Sequence, residues 1–476
     1  GEEAINAGLK SFIIALLIVL AYMIFYYSGA GVVSNIALLA NIFFIFGVLS
    51  SIGAVLTLPG IAGIVLTIGM SVDANVLIYE RIREELTGGK GIRLAIKDGY
   101  DKAYNAIIDA NVTTLLTGII LYTFGTGPIK GFATTLIIGI LTSLFCAIFI
   151  TRLIISARLN KGKSMSFSTK LTKGAFKNIN IDFIGKRKVF YVLSAIVILF
   201  GGYSLSTKGL NYGIDFKGGR TYIVSFEDEV DKDNVRTELT TTFNGQSPSI
   251  SDFNLKGQGG EQLKITTKYR IEENNLDADT DVKSQLFAGL DKSGISYSVI
   301  SQEKVGPTIA DDIRDAALWS VIFSLIVIFL YILIRFKKWQ FSLGAIIALI
   351  HDVIITVGIF SFLAYEVNLS IVAAVLTIVG YSMNDTVVIF DRIRENLKKY
   401  SKISIAEISD LSTNQTLSRT LITSVTTLLA LFSIYIFGGA ILKGFSFAMI
   451  IGVIVGTYSS IFVATPILNY TNVSQK

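Results

Sequence analysis

Eleven apolar stretches, each near 20 residues long, dominate this 476-residue sequence. A helix of about 20 residues crosses the hydrocarbon core of a bilayer, which is roughly 30 Å thick. Charged residues are only 16% of the chain, against about 25% in soluble domains. The pattern predicts an all-α polytopic membrane protein with spans at 11–27, 36–58, 60–79, 105–124, 132–155, 189–205, 316–334, 341–364, 367–390, 417–437 and 445–468.

Lysine and arginine are concentrated between the predicted spans, at 81–102, 152–188, 335–338 and 392–402. Alternation of the spans puts all four segments on one side, which the positive-inside rule assigns to the cytoplasm. The C-terminus is then cytoplasmic, and residues 206–314 are external. The net charge of +6 is therefore explained by basic segments that orient the chain in the membrane, and it does not indicate nucleic-acid binding.

The first predicted span enters the membrane from outside, and residues 1–8 are acidic, unlike the basic start of a signal peptide. We therefore expect at least one further span upstream, and with it an external domain.

The one long polar segment, 206–314, contains β-rich pieces at 221–226, 263–269 and 297–303. Helix-like pieces at 231–243 and 280–290 separate them. The order strand–helix–strand–helix–strand predicts a small external α+β domain of the ferredoxin-like type.

Two motifs occur twice. Residues 69–86 (GMSVDANVLIYERIREEL) match 380–397 (GYSMNDTVVIFDRIRENL) at nine of 18 positions, and residues 113–132 match 426–445 at ten of 20. Both copies end at cytoplasmic basic segments, so the repeats run in parallel through the membrane. The pattern predicts two pseudo-symmetric halves, with eleven spans seen and twelve expected in full.

The repeat defines five segments of the chain. They are a first membrane half (1–160, five spans), a cytoplasmic basic linker (161–188), the first span of the second half (189–205), the external domain (206–314) and the remaining five spans (315–476).

Among the charged residues inside the predicted spans, two carboxylates and one guanidinium are the main site candidates. Asp73 precedes Glu80, the first charge of its basic segment, by seven residues, which places it about 10 Å inside that end of the helix. Asp385 lies six residues before Asp391, at nearly the same depth. Arg419 opens the tenth span, and its long side chain reaches the level of Asp385.

These two aspartates are not repeat equivalents, because Asp73 aligns with Asn384 and Asp385 aligns with Ala74. A charged group at membrane depth costs at least about 2.5 kcal/mol, so it persists when it is paired or lines a polar cavity. A carboxylate that alternates between an apolar and an Arg-paired environment takes up and releases a proton. We therefore predict an ion relay at Asp73, Asp385 and Arg419.

Five further polar residues are secondary candidates for this relay: Asp352, His351, Asp109, Asn75 and Thr386. A structural interpretation competes with each role. Asp73 and Asp385 would then be helix-packing partners, and Arg419 would extend to the headgroups. His351–Asp352 would be a satisfied pair. The Arg-Ile-Arg-Glu runs after each motif are interpreted as solvated helix ends.

The external domain opens with a glycine-rich turn that contains Asp215, Gly218 and Gly219. It lacks the spacing and the Lys-Ser/Thr pair of a phosphate-binding loop, and predicts a turn before a strand.

The longest motifs resemble SecD and SecF, protein-export membrane proteins of the resistance–nodulation–division superfamily. Residues 69–86 and 117–133 resemble SecD. GIDFKGGR (213–220), VGPTIADDIRDAA (305–317), His351–Asp352, the 380–396 motif and NQTLSRTLITS (414–424) resemble SecF. The order resembles a natural SecDF fusion that lacks the first SecD span and the large first external domain. Lys217 and Arg220 make the turn more basic than the usual family pattern.

The resemblance implies a non-enzymatic accessory of the SecYEG translocon in the bacterial cytoplasmic (inner) membrane, with a YajC-like protein as a further partner. It would draw preproteins out on the external side, driven by protons or, in some members, sodium, without another cofactor. Motif matching assigns ion transport to Asp73, Asp385 and Arg419. Without the large domain, the chain is expected to conduct ions or bind the translocon yet fail to pull substrate.

Two alternatives remain open from the residues. One is an exporter of lipids or small molecules from the same superfamily. The other is a scaffold that stabilises the translocon, in which the aspartates are structural.

Overall fold

The computed structural model describes residues 2–176, 179–253, 261–273, 276–400 and 402–471. Eleven helices in these ranges are long and apolar enough to cross a membrane. This agrees with the predicted number. We call them the first to eleventh spans, and they cover Ile5–Tyr27, Gly29–Ser51, Leu58–Thr87, Ile92–Phe124, Ile129–Asn160, Arg187–Thr207, Pro307–Phe336, Trp339–Phe362, Leu369–Lys399, Ile405–Phe437 and Leu442–Tyr470.

Several helices continue well past their apolar windows. The fourth span begins at Ile92, where the sequence predicted 105, and the tenth begins at Ile405, where it predicted 417. The start of the tenth is stabilised by a capping box, in which Ser404 Oγ accepts from the Glu407 amide and the Glu407 carboxylate accepts from the Ser404 amide. Many basic residues assigned to loops therefore lie on helix ends.

The second span was predicted seven residues too late, because hydropathy alone does not mark turns. Ser28, with φ of 54°, is the one residue between the first two helices, and the second ends at Ser51 before Gly53, with φ of 63°. The third span then starts at Leu58, where Thr57 Oγ1 accepts from the Gly60 amide at 3.1 Å.

The two halves meet along the third and ninth spans, which are almost wholly buried. The ninth packs against the fourth, and the third packs against the tenth. Both crossings use a repeat-equivalent glycine: a Cβ on Gly69 would lie 3.0 Å from Thr427 Cα, and one on Gly380 would lie 3.1 Å from Thr114 Cα. Since neither backbone could approach so closely past a side chain, the two glycines set the spacing of the halves.

The fifth and eleventh spans each contain one π-helical turn at matching places in the repeat, Cys146–Ile150 and Ser460–Ala464. A π turn inserts a residue and changes the direction of the side chains around it. In the eleventh span, Ser459 and Ser460 consequently reach Asp352 and Thr386, as described below.

The polar segment folds as an α+β domain at one end of the helical bundle, which we call the domain end; the opposite end, where the basic segments lie, is the basic end. Over the described residues, the domain and its root, which is formed by the two short strands β1 and β6, consist of six strands and three helices. The strands are β1 (Asn211–Tyr212), β2 (Gly219–Phe226), β3 (Ser249–Asp252), β4 (Gln262–Thr267), β5 (Tyr297–Val305) and β6 (Glu366–Val367), and the helices are Ile214–Lys217, Lys232–Thr242 and Leu276–Asp291.

Strands β2 to β5 form an antiparallel sheet in the order β3-β4-β2-β5, with two helices packed on it. The chain order βαββαβ is ferredoxin-like, as predicted. The predicted order of three strands was wrong, however, because it omitted β3. This strand is four residues long and polar at three positions, so it carries no apolar alternation that would mark it.

Strand pairing and an ion pair help to anchor the domain on the bundle. Strand β1, before the domain sheet, pairs in parallel with β6, which precedes the ninth span. Lys264 Nζ of β4 lies 2.5 Å from Glu366 Oε2 of β6. The root of the domain is thus joined to the helix that carries Asp385.

The predicted basic linker, 161–188, packs against the bundle over its described residues. Thr172 Oγ1 donates to the Tyr26 carbonyl at 2.7 Å, and Asp410 accepts from the amides of Phe183 and Ile184, both at 2.9 Å. The linker therefore follows the basic end of the bundle instead of extending away from it.

Candidate functional site

Asp73 lies where the third span is irregular. This span consists of helices Leu58–Ser71 and Asp73–Thr87, joined at Val72. The Asp73 side chain is buried at the interface of the halves. Its Oδ2 accepts from Asn384 Nδ2 at 3.2 Å, while its Oδ1 has no hydrogen-bond partner among the described residues.

Arg419, on the tenth span, bridges two neighbouring residues of the ninth. Its Nη1 lies 3.2 Å from Asp385 Oδ1, and its Nη2 donates to Asn384 Oδ1 at 2.7 Å. Asp385 Oδ2 also accepts from Thr457 Oγ1 at 3.3 Å. Arg419 Nε has no partner among the residues described. One donor of the guanidinium therefore remains available for a different acceptor.

These bonds form one polar network, in the order Asp73–Asn384–Arg419–Asp385–Thr457. The three residues predicted to form the relay are brought together, but Asp73 and Arg419 meet only through the Asn384 side chain. Asn384 was not among the predicted site residues, although it is the repeat equivalent of Asp73 and adjoins Asp385. Thr457 could not be identified, because one threonine in an apolar span has no distinguishing pattern.

A small cavity adjoins this network on the side of the first half. Its volume is about 20 Å³, and its lining includes Asp73, Asn384, Arg419, Asn111 and Ser143. That is room for about one water molecule. The polar lining and the unpartnered Asp73 Oδ1 make it suitable for a water or a small cation.

His351 and Asp352 belong to a separate network within the second half. His351 Nδ1 lies 3.0 Å from Asp352 Oδ1 and His351 Nε2 lies 3.0 Å from Ser194 Oγ. Asp352 Oδ2 accepts from Ser382 Oγ at 2.7 Å and from Ser459 Oγ at 2.8 Å. Each of these groups has partners, so the geometry corresponds to the satisfied pair that the sequence left open.

The other secondary candidates lie in three different places. Thr386 Oγ1 is 2.7 Å from Ser460 Oγ, and Asn75 is buried with its Oδ1 unpartnered among the described residues. Asp109 forms an ion pair with Arg335 Nε at 2.7 Å and accepts from Tyr331 at 2.9 Å. The Asp109 contacts join the fourth and seventh spans, which belong to different halves.

The Arg-Ile-Arg-Glu runs form a reciprocal ion-pair cluster, so their interpretation as solvated helix ends was wrong. Arg81 pairs with Glu84 at 3.1 Å and with Glu395 at 3.2 Å; Arg392 pairs with Glu395 at 3.0 Å and with Glu84. Arg392 is buried. Arg81 and Arg392 are repeat equivalents. Each arginine therefore pairs with one glutamate on its own helix and with one glutamate on the equivalent helix of the other half.

The glycine-rich turn reaches the membrane bundle. Asp215 Oδ2 accepts from the amide of Leu369, the first residue of the ninth span, at 2.8 Å. Gly218 has φ of 67° and packs on Pro307, where a Cβ would lie 3.3 Å from the Pro307 Cα. Burial raises the pKa of Asp215, with a smaller rise from the Glu366 carboxylate, while the Leu369 amide and Lys264 lower it.

Within the part of the chain that the structure describes, no group of three or more histidine, cysteine or carboxylate side chains is arranged to hold a metal ion.

A duplicated bundle of membrane-spanning helices, with carboxylates and a guanidinium buried between its halves, defines a polytopic membrane protein of the transport class. Residues 1–161 and 285–474 match the family model described as protein export membrane protein SecD/SecF, C-terminal. Residues 203–230 match the SecD/SecF GG motif, which contains the Asp215 turn. The chain belongs to the SecD/SecF family of protein export membrane proteins, as its motifs predicted.

Known relatives are similar to this chain in both sequence and fold. The chain is 38% identical to protein translocase subunit SecDF of Brucella abortus over 472 residues, which is 98% of this chain and 60% of that protein. It is 44% identical over 300 residues to protein translocase subunit SecF of Rhodothermus marinus, of which it covers 94%. The crystal structure of SecDF, a translocon-associated membrane protein from Thermus thermophilus, matches 99% of the chain with a TM-score of 0.89 and 35% identity.

The chain spans about three-fifths of the length of the SecDF relatives that it matches, 60% for Brucella abortus and 62% for Thermus thermophilus.

Proposed function

We propose that this protein is an accessory subunit of the Sec translocon that promotes preprotein movement on the external side of the bacterial cytoplasmic membrane, driven by proton or sodium flow. The observation that carries this proposal is the network from Asp73 to Asp385, which crosses the interface of two halves of a SecD/SecF-type bundle. SecYEG, a YajC-like protein and the preprotein are the proposed partners. The α+β domain is external and the C-terminus cytoplasmic in this proposal.

The charges of the network suggest how an ion drives it. Two buried carboxylates share one guanidinium, and a net charge is costly in a low-dielectric interior. Arg419 contacts Asp385 directly and reaches Asp73 only through Asn384. In the arrangement described here, Asp385 is therefore the ionised partner and Asp73 carries the proton, or a cation beside it.

Transfer of a proton between these carboxyls would move the helices. When Asp385 takes up a proton, its ion pair with Arg419 is lost, and the unpartnered Nε and the nearby Asp73 Oδ1 are the groups available for a new pair. Asp73 belongs to the first half and Arg419 to the second, so the change of partner alters the contact between halves. One charge that crosses the membrane supplies about 2.3 kcal/mol per 100 mV, enough to shift a two-state equilibrium tens-fold.

Proton flux tests this relay. The protein is reconstituted into liposomes that contain a pH-sensitive dye, a potential is applied, and the wild type is compared with Asp385→Asn. We expect the variant to lose at least about ten-fold in flux, because the amide cannot release a proton. The matched control is Asp391→Asn on the same helix, whose carboxylate pairs with Arg394 outside the network; it should conduct as the wild type does.

The same vesicles, loaded with radioactive sodium, identify the ion. Sodium flux without acidification would assign sodium, and the reverse would assign the proton. If Asp385→Asn conducts both ions as well as the wild type, the relay is wrong, and the scaffold role becomes the better account.

A further inference from the structure

Strand β5 is an edge of the α+β sheet. It pairs with β2 on one side, and no other strand among the described residues pairs with its second side. Along the nine residues of β5, alternate backbone amides and carbonyls therefore point away from the sheet. Such an edge is a template for another extended chain.

A groove of about 940 Å³ runs beside this edge, between β5 and the helix Leu276–Asp291. Phe287, Ile295, Val299 and Ile300 supply apolar surface to its lining. Polar groups also line it, at Lys283, Asp291 and Gln302. An added strand would place alternate side chains toward this apolar lining and the others toward solvent.

The usual protection of an exposed edge is incomplete in β5. Natural edges are guarded by bulges and by outward lysines. The pairing with β2 shifts register between Ile223 and Val224, which leaves Ile300 as a bulge. The one lysine of the strand, Lys304, donates to Asp279 at 2.8 Å, on the helix beside the groove. Beyond the bulge, Ser301–Val305 pairs in regular register.

We propose that β5 binds an extended, unfolded polypeptide segment by strand addition, with apolar side chains of every second residue in the groove. Main-chain hydrogen bonds supply the affinity in this mode, so binding tolerates many sequences. A polypeptide that leaves the translocon unfolded has these properties. The proposal deepens the translocation function above and rests on it for the source of the segment.

The test measures fluorescence anisotropy of a labelled peptide of about 12 residues, alternating valine and threonine with lysine at both ends, added to the intact 476-residue protein in detergent. A second peptide carries N-methyl groups on four successive central amides, which removes donors on both of its edges. We expect the N-methylated peptide to bind about ten-fold more weakly or worse, since several main-chain bonds are lost. Equal binding of both peptides overturns strand addition, as does no binding of either.

A photoreactive residue locates the bound peptide on the unchanged fold. Placed at Gln302 of β5, it should crosslink the peptide; placed at Ser251 of β3, the opposite edge of the same sheet, it should not. Crosslinks at both positions would contradict a specific site. Crosslinks from Gln302 to a second copy of the protein, with no peptide adduct, would show that the edge is a self-association surface and overturn the proposal.

The variant Ile300→Lys adds a charge at the groove and should weaken binding of the unmodified peptide about ten-fold, whereas Ser251→Lys should leave it unchanged. Equal weakening by both substitutions would also count against the site. Peptide binding and ion flux fail independently. If the peptide does not bind at β5 but ion flux still depends on Asp385, strand addition alone is rejected. If the peptide binds at β5 but flux does not depend on Asp385, the relay alone is rejected.

Discussion

Asp73 and Asn384 occupy the same position of the repeat, and a hydrogen bond joins them across the halves. The amide offers a donor to Asp73 and an acceptor to Arg419, which an ionised aspartate could not do. The exchange of Asp for Asn in one copy therefore creates an asymmetric network from a symmetric scaffold. Asp385, one residue further along, is the group that receives the guanidinium.

Asp215 is the residue at which the α+β domain holds the ninth span. Asp215→Ala removes the acceptor of the Leu369 amide, so exchange of that amide with deuterium should accelerate about ten-fold at unchanged pH. Asp215→Asn keeps an oxygen acceptor and should exchange as slowly as the wild type. Rapid exchange in both variants, or in neither, would show that the Asp215 oxygen does not hold this helix start.

The pH dependence of this junction follows from the raised pKa of Asp215. In the folded protein Asp215 binds a proton more tightly than in the unfolded chain, where its pKa is the ordinary 3.8. The stability of the junction is therefore greatest below pH 3.8, and it falls as the pH rises through the higher pKa of the folded state. In Asp215→Asn this loss should be absent, so the stabilities of the variant and the wild type converge in acid.

At the scale of elements, the crossing of the ninth and fourth spans depends on Gly380. Gly380→Ala would place a Cβ 3.1 Å from Thr114 Cα, a backbone atom that cannot move aside locally. We expect a loss of about 1–3 kcal/mol, seen as a lower midpoint of thermal unfolding in detergent.

The matched control for this substitution is Gly47→Ala on the second span, where a Cβ would meet nothing within 4 Å. Alanine is the better helix former, so the control should unfold at the same temperature as the wild type or slightly higher. A normal midpoint for Gly380→Ala would mean that the close crossing does not set the spacing of the halves.

Elements with strong local patterns were predictable, and those defined by contacts were not. Each span has enough apolar length to mark it, so all eleven were found. The start of the second span depends on the conformation of Ser28, and β3 depends on pairing with β4, neither of which hydropathy records. The proximity of Asp385 and Arg419 could be predicted from residue counts along their helices, whereas the Asn384 bridge depends on the relative rotation of two helices.

At the scale of the whole molecule, three layers of contacts hold the protein together, and two of them join the halves. The ion pairs of Arg81, Glu84, Arg392 and Glu395 join the halves at the basic end, and the Asp73–Asp385 network joins them within the bundle. At the domain end, the β1–β6 pairing and Asp215 instead connect the α+β domain with the ninth span, within the second half. The sequence predicted the duplication but not the exchange of partners, because the exchanged ion pairs join residues 308 and 314 positions apart. The ninth span takes part in the ion-pair cluster and the network, and its first residue is held by Asp215. It is thus the element through which a change at Asp385 reaches the domain.

The network holds two buried carboxyls and one guanidinium, so one of the carboxyls is expected to be protonated. Infrared difference spectroscopy of the C=O stretch measures this directly, because a buried protonated carboxyl absorbs apart from an ionised one. The band should disappear in Asp73→Asn. It should also disappear in Asp385→Asn, because Arg419 then has Asp73 as the remaining carboxylate of the network, and Asp73 ionises to pair with it. It should persist in Asp391→Asn, whose carboxylate pairs with Arg394 outside the network. A band that persists unchanged in Asp73→Asn, or its absence from the wild type in sodium-free buffer, would show that the network does not hold a protonated Asp73.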